Sequence, residues 1–300
     1  MIGDRMDASD LRVMEAVARH GSMNRAAVEL NTVQSNVTAR LRTLEDQIGI
    51  PLFDRHSRGV TLTAAGQRLL PYATRIAQLL QEARSAARND SAPQGRLTIG
   101  TLETTAALRL PPILSAYTQS YPNVSCVVTT GTTSSLLTDV IENRVDGAFV
   151  AGPIRHDDLV TERIFQEELV LVTARSVRKP SDLDGIRDLR TIVFQVGCSY
   201  RQQLDTFLAQ HGLKTAQPLE FGSLDAILGC VAAGVGITVL PKAVVAAALR
   251  DGTIAMHTLP PKLARVDTVF ARRRDAYVSS ALSAFLAIVR PSPSSAIAAA

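Results

Sequence analysis

The stretch SMNRAAVELNTVQSNVTARLR, Ser22–Arg42, decides how the rest of the chain is read. Ser22 is a good N-cap, because its hydroxyl can accept a hydrogen bond from a first-turn amide. Behind it Met23, Ala26, Ala27 and Leu30 recur at the spacing of one helix face. The paired alanines let another helix approach closely. Asn31 and Thr32 supply a tight turn and a cap for a further helix, whose buried stripe is expected to be Val33, Val37, Leu41, Leu44 and Ile48. Left on the outward face are Gln34, Ser35, Asn36, Thr38, Arg40 and Arg42. These are the groups that hydrogen-bond base edges and phosphate oxygens when a helix enters the major groove. A solvated helix also presents a polar face, but it normally mixes Lys with Glu, and no acid occurs here before Glu45.

Upstream, Leu11, Met14, Val17 and Ala18 form one face of a first helix that His20 and Gly21 break. Downstream, Leu52 to Leu62 reads as two short strands around a basic turn, with Gly59 permitting positive φ. A helix-turn-helix followed by such a hairpin is a winged helix, and Arg55 and Arg58 would sit near phosphates or the minor groove.

Over this region the chain resembles the LysR-type transcriptional regulators. The resemblance rests on Gly21-Ser22-Met23-Asn24-Arg25-Ala26-Ala27, Leu30, Gln34, Val37, Leu44-Glu45, Ile48-Gly49, Leu52-Phe53, Arg55, Leu62-Thr63 and Ala65-Gly66. So many fixed spacings are far more specific than any single motif. Val33 stands where the family often has Ser, Ser35 where it often has Pro, and Thr38 where Ser is usual. Those departures bear on the operator sequence rather than on the activity. The family pattern starts almost at the initiator methionine, which makes Met6 an expected start. The expected DNA-contacting set is Ser22, Asn24 and Arg25, with Gln34, Ser35, Asn36 and Thr38 on bases and Arg40, Arg42, Arg55 and Arg58 on phosphates.

Thr63 then caps a long helix. Leu62, Gly66, Leu69, Ala73, Ile76, Leu80, Ala83 and Ala87 alternate at spacings of four and three, a seam suited to a partner helix. A helix packed on its own domain would show a similar stripe. Arg68, Arg75, Gln78, Gln81, Arg84 and Arg88 flank the seam, and Pro71 should kink the helix locally. The resemblance implies a homodimer or homotetramer built through this linker helix and the effector domain, so that paired recognition helices read two half-sites.

After the turn-rich linker Asn89–Gly95, strands and helices alternate: a strand at Leu97–Thr101, a helix through Leu114, strands at Ser125–Thr129 and Ala148–Val150 flanking a helix at Leu136–Ile141. Further strands are read at Ile192–Gln195, Gly236–Leu240 and Arg265–Phe270, with helices at Tyr200–Gln210, after Ser223 and at Ser280–Val289. This alternation argues for an α/β domain with a largely parallel sheet. Leu97-Thr98-Ile99-Gly100, Leu110-Pro111, Tyr121-Pro122, Asp146-Gly147 and Gly234–Pro241 resemble the effector domain of the same family. The fold implied is α/β overall: a winged helix-turn-helix at 6–63, a linker helix at 63–90 and an effector domain at 96–290. That last domain resembles type 2 periplasmic binding proteins, with one subdomain at 96–165 plus 267–290 and another at 166–266. A Pro, Ser and Ala-rich tail at 291–300 is expected to be disordered.

Ligands of open α/β sheets sit at the carboxyl ends of strands. Three junctions of that kind supply the expected effector contacts: Thr101, Thr104 and Thr105; then Thr130, Thr132 and Thr133; then Gly197, Cys198, Ser199 and Arg201. Hydroxyls, amides and one arginine would suit a small anion such as a carboxylate, although Ser and Thr cap helices everywhere. Cys198 falls near the reactive cysteine of peroxide-sensing family members, and a helix N-terminus beside Arg201 could lower its pKa. With no resolving cysteine after it, Cys198 reads as a small cavity-lining residue.

Composition closes off other classes. The chain has 300 residues, 46% of them hydrophobic, and a net charge of +4, enough for two domains and only weakly basic. Charges throughout the first eighteen residues exclude a secretory leader, and no apolar run reaches a membrane span of about 18 residues. Cys126, Cys198 and Cys230 form no CxxC pair, so neither a disulfide framework nor a metal site is expected, and the compartment read is the cytoplasm. No GxSxG, HExxH, Walker loop or strand-borne GxGxxG occurs, and the histidines are scattered, so neither catalysis nor a cofactor is expected. Expected partners are double-stranded operator DNA, a small-molecule effector, further copies of the chain and RNA polymerase.

Overall fold

The computed structural model describes residues 6–56, 59–88, 92–186 and 188–290. The chain divides into two units between Ser91 and Ala92.

The first unit opens with α1 (Ala8–His20), capped by the Asp7 carboxylate on the Ser9 amide at 2.8 Å and ended by Gly21 in the left-handed region. Ser22 caps α2 (Met23–Glu29), and α3 (Gln34–Ile48) follows the turn at Asn31. Ala26 and Ala27 are buried against the other helices, as their size predicts, and α3 contributes Val37, Leu41 and Leu44 to the same core. The wing is an antiparallel hairpin, β1 (Phe53–His56) with β2 (Gly59–Leu62). Its tip at 57–58, including Arg58, lies outside the described residues.

Next comes α4 (Ala64–Arg88), continuous through Pro71 and capped by the Thr63 hydroxyl on the Gly66 amide at 3.1 Å. Gly66 leaves no room for a side chain, since a Cβ there would stand 2.2 Å from the Leu52 carbonyl oxygen. The seam is divided in use. Leu69, Ala73 and Ile76 pack into the core of their own unit, while Leu80, Ala83 and Ala87 are exposed. In that first half Ala73 is buried and Leu69 and Ile76 are partly buried, with α1 packed beside α4. The side chains of Gln78, Gln81, Arg84 and Arg88, and residues 89–91, lie outside the described residues.

The second unit runs β3 (Gly95–Thr101), α5 (Glu103–Leu108), α6 (Leu110–Ser120), β4 (Val124–Thr130), α7 (Thr133–Ile141) and β5 (Gly147–Ala151). It continues through β6 (Leu159–Ala174), a 3-10 turn (Pro180–Gly185), β7 (Ile192–Phe194), α8 (Ser199–Gln210), β8 (Leu219–Phe221) and α9 (Leu224–Ala232). The last elements are β9 (Thr238–Pro241), α10 (Lys242–Arg250), β10 (Ile254–Thr258), β11 (Arg265–Arg273) and α11 (Ser280–Val289). The principal sheet has the order β10-β6-β11-β5-β3-β4, with β9 also on β6. It is mixed rather than largely parallel. Strand β3 is parallel to β4 and β5, but β11 is antiparallel to both β5 and β6, and β6 is antiparallel to β9 and β10. Direction depends on which strand a connection returns to, and local periodicity does not encode that.

Strand β6 is 16 residues long and carries both halves of this unit. Its Leu159–Glu168 stretch pairs with β11, and Leu169–Ala174 pairs with β9 and β10, so the expected boundary at 165/166 falls inside one strand. One core gathers Tyr117, Phe149, Phe270 and Phe285, with the Tyr117 hydroxyl donating to the Ala281 carbonyl at 2.8 Å. The other packs the second half of β6 against α8 and α9. The tail at 291–300 lies outside the described residues.

One expectation for α3 fails at its first position. Val33 is not part of the buried stripe but 65% exposed, because it is the N-cap and its ψ of 152° departs from helical geometry. It makes no side-chain capping bond. Val33→Ser supplies the missing acceptor and should stabilise the first unit by about 1 kcal/mol. Thermal unfolding followed by circular dichroism checks this, and an unchanged or lower midpoint for that unit would refute it.

Candidate nucleic-acid interface and effector site

Helical geometry divides the polar residues of α3 into two groups. Gln34, Ser35, Thr38 and Arg42 share one stripe, and none of these four side chains makes a hydrogen bond or ion pair among the described residues. Asn36 and Arg40 lie on another side and are engaged within the unit. The Asn36 amide donates to the Thr32 hydroxyl at 2.8 Å, bracing the turn between α2 and α3. Arg40 reaches α1, where it donates to Ser9 and lies 3.3 Å from Asp10. Burial pushes the Asp10 carboxyl above its ordinary pKa and Arg40 offsets part of that. Arg40 was expected on the outward face, and a one-helix pattern could not show an acid waiting on α1.

At α2, the Ser22 hydroxyl accepts from the Arg25 amide at 3.4 Å, and Asn24 and Arg25 are exposed. The Arg25 guanidinium donates to the His20 carbonyl.

The position of the wing follows from Glu45 near the end of α3. Its Oε1 accepts from the Leu52 and Phe53 amides at 2.8 and 3.2 Å, and its Oε2 lies 3.5 Å from the Arg55 guanidinium. The Val60 amide donates to the Gly21 carbonyl at 3.1 Å, so β2 is tied to the turn that opens α2. These bonds hold β1 and β2 against α3 and the turn before α2. Glu45 itself was legible only as part of a motif, since its partners are backbone amides that no side-chain pattern reveals.

In the second unit the three junctions do come together. The Thr104 hydroxyl on α5 bonds the Tyr200 hydroxyl on α8 at 2.9 Å, and both side chains are buried. Burial pushes the Tyr200 pKa up, so the phenol stays protonated. Gly197, with φ of 97°, lies against the loop before α7: a Cβ there would stand 1.9 Å from the Ser134 hydroxyl and 3.0 Å from that of Thr132.

The individual roles are less uniform. Thr101 is fully buried and donates to the Leu102 carbonyl at 3.2 Å, and Thr105 is buried. Thr130 is exposed, Thr132 forms a capping box with Ser135, and the Thr133 hydroxyl accepts from the Ala151 amide at 3.2 Å. Ser199 opens α8 and is partly exposed. Arg201, expected to face an anion, is paired with Glu220 on β8 at 2.6 Å. Cys198 is buried at the N-cap of α8, and burial raises its thiol pKa despite amide bonds from Arg201 and Tyr200 and the Arg201 charge. A raised pKa disfavours the nucleophilic thiolate.

The sequence reading missed Arg109 and Glu167. The Arg109 guanidinium grips Glu167 on β6 through two bonds of 2.8 and 3.1 Å and lies 5.2 Å from the Phe165 ring centroid. Glu167 is buried on its strand, but the charged residues around it leave no apolar alternation that could have singled it out.

Two family models match the chain: a bacterial regulatory helix-turn-helix protein of the lysR family over residues 8–67, and a LysR substrate binding domain over residues 90–293. The HTH-type transcriptional regulator GltR of Bacillus subtilis is 44% identical over 95% of this chain and 96% of its own length. The HTH-type transcriptional regulator CzcR of Bacillus cereus is 40% identical over 94% of this chain and 96% of its own. Among solved structures, full-length CbnR complexed with its target DNA superposes with a TM-score of 0.65 at 25% identity, covering 95% of this chain and 99% of that one. Full-length OxyR from Pseudomonas aeruginosa, at 20% identity, covers 95% of this chain and 98% of that one with a TM-score of 0.70, a likeness of fold. These relatives are named as transcriptional regulators rather than enzymes.

Glu45→Ala leaves the Leu52 and Phe53 amides without their acceptor and should cost the first unit about 2 kcal/mol. Glu45→Gln, which keeps an acceptor oxygen, should recover part of that. Urea denaturation of the three proteins is the measurement, and an alanine variant as stable as the parent would remove Glu45 from this role.

Proposed function

The chain belongs to the LysR family of DNA-binding transcriptional regulators, and from that premise we propose which residues read DNA and which answer the effector. The observation that carries the reading is the stripe Gln34, Ser35, Thr38 and Arg42 on α3, with Thr38 half-buried and the others exposed, all four unengaged among the described residues. In the major groove Gln34, Ser35 and Thr38 face base edges, while Arg42 and Arg55 neutralise phosphates. Ser22, Asn24 and Arg25 meet the backbone at the start of α2. Arg58 extends the same basic surface in sequence. Asn36 and Arg40 hold α3 in place, a supporting role in this reading.

The protein acts as a homodimer or homotetramer in the cytoplasm. Tyr72, Leu79 and Leu80 on α4 are exposed apolar side chains, and together with Ala83 and Ala87 they offer a surface for a second copy. Two-fold pairing sets two recognition helices on two half-sites. Contact with RNA polymerase would convert occupancy into a change in transcription.

The effector is a small carboxylate-bearing molecule held where the loops before α5, α7 and α8 converge. Arg201 and Arg109 are already paired with Glu220 and Glu167, so hydroxyls and backbone amides supply recognition here. Thr132, Ser199 and the Thr104–Tyr200 pair are the side chains to bear it.

Arg42→Ala should weaken binding about equally on all duplexes and lower the salt slope by about 1. Gln34→Ala should relax preference at one base pair, worth about 1–3 kcal/mol. Binding measured on a panel of duplexes at two salt concentrations tests both, and variants indistinguishable from the parent would sink the interface assignment. For the effector, a thermal-shift screen of small carboxylates against the full chain should find a stabilising compound. Tyr200→Phe and Thr132→Val should each weaken it about three- to tenfold, the value of one hydrogen bond. A compound whose affinity neither change affects binds elsewhere.

A further inference from the structure

We propose that Val33 is a base-reading residue that recognises the C5-methyl group of a thymine in the major groove. The proposal rests on α3 entering that groove, as argued above, and adds a contact to it. Val33 stands at the leading end of the recognition helix, immediately before Gln34 and Ser35, and is 65% exposed. It occupies the N-cap without making a capping bond, although valine is among the poorest residues for that position. A residue that forgoes a cap and leaves an isopropyl group in water gives the isolated protein nothing. On DNA the same group has a specific partner. The N-terminal residues of a recognition helix face the base edges, and the thymine methyl is the apolar feature of the major-groove code. An isopropyl group can neither donate nor accept, so base pairs that present only polar edges gain nothing from it.

The test uses the full chain. Duplexes are selected from a random-sequence pool, and each thymine of the preferred duplex is replaced singly by deoxyuridine, which lacks only the methyl group. Affinities are read by fluorescence anisotropy for the parent and for Val33→Ser, a variant expected to fold at least as stably. One replacement per half-site should weaken the parent about fourfold, the value of one buried methyl, and leave Val33→Ser indifferent. The proposal is overturned if no replacement affects the parent, if Val33→Ser keeps the same penalty at the same base, or if selection fixes no thymine in the half-site. Gln34→Ala on the same duplexes separates the two layers. A changed base preference beside a flat deoxyuridine scan leaves groove entry standing and removes Val33 from it. No response in either removes groove entry itself.

Discussion

The carboxylate of Glu45 receives the Leu52 and Phe53 amides, and the placement of the wing beside α3 depends on that contact. A wing of four-residue strands has little core of its own, so its position must be set from outside. Glu45 supplies this from the recognition helix. The carbonyl of the same Leu52 lies over Gly66, whose missing side chain lets α4 approach. One short backbone segment is thus gripped by α3 on one side and α4 on the other. α3, the wing and the start of α4 are joined through that segment.

The effector unit is organised by a different constraint. Strand β6 is shared, its first part pairing with β11 and its second with β9 and β10. Around it the two halves share a hydrophobic core, and the Thr104–Tyr200 hydroxyl pair and Gly197 against Ser134 add polar and close contacts at the loops. A single neutral hydrogen bond such as the Thr104–Tyr200 pair is worth only about 1 kcal/mol. A ligand shifts a conformational equilibrium only by the difference in its affinity for the two arrangements. Loops that touch each other, as those before α5, α7 and α8 do, are where that difference can arise.

Much of this was legible because periodicity and caps are local. The outward face of α3, the alanine pair of α2, the Thr63 cap and the span of α11 follow from side chains a few positions apart. Strand β6 was missed because its alternation is interrupted: the pairing with β11 shifts register between Thr268 and Val269, and charged residues punctuate its first half. Sheet direction escaped for a related reason. Helices between strands suggest parallel neighbours, yet β11 returns to lie antiparallel between β5 and β6.

The sequence by itself determined the family, the two-unit organisation and the polar stripe of α3, because each is carried by fixed spacings along one chain. Only the tertiary structure decided which of the candidate side chains are already paired within the protein. Arg40 and Arg201 carry the right charge, but Asp10 and Glu220 stand beside them. Cys198 sits at a helix start, yet burial outweighs the amides that would activate it. Val33 has the spacing of a core residue and the backbone of a cap, so it points to solvent. In each case the deciding partner or torsion lies outside the periodic pattern, in elements that folding alone brings together.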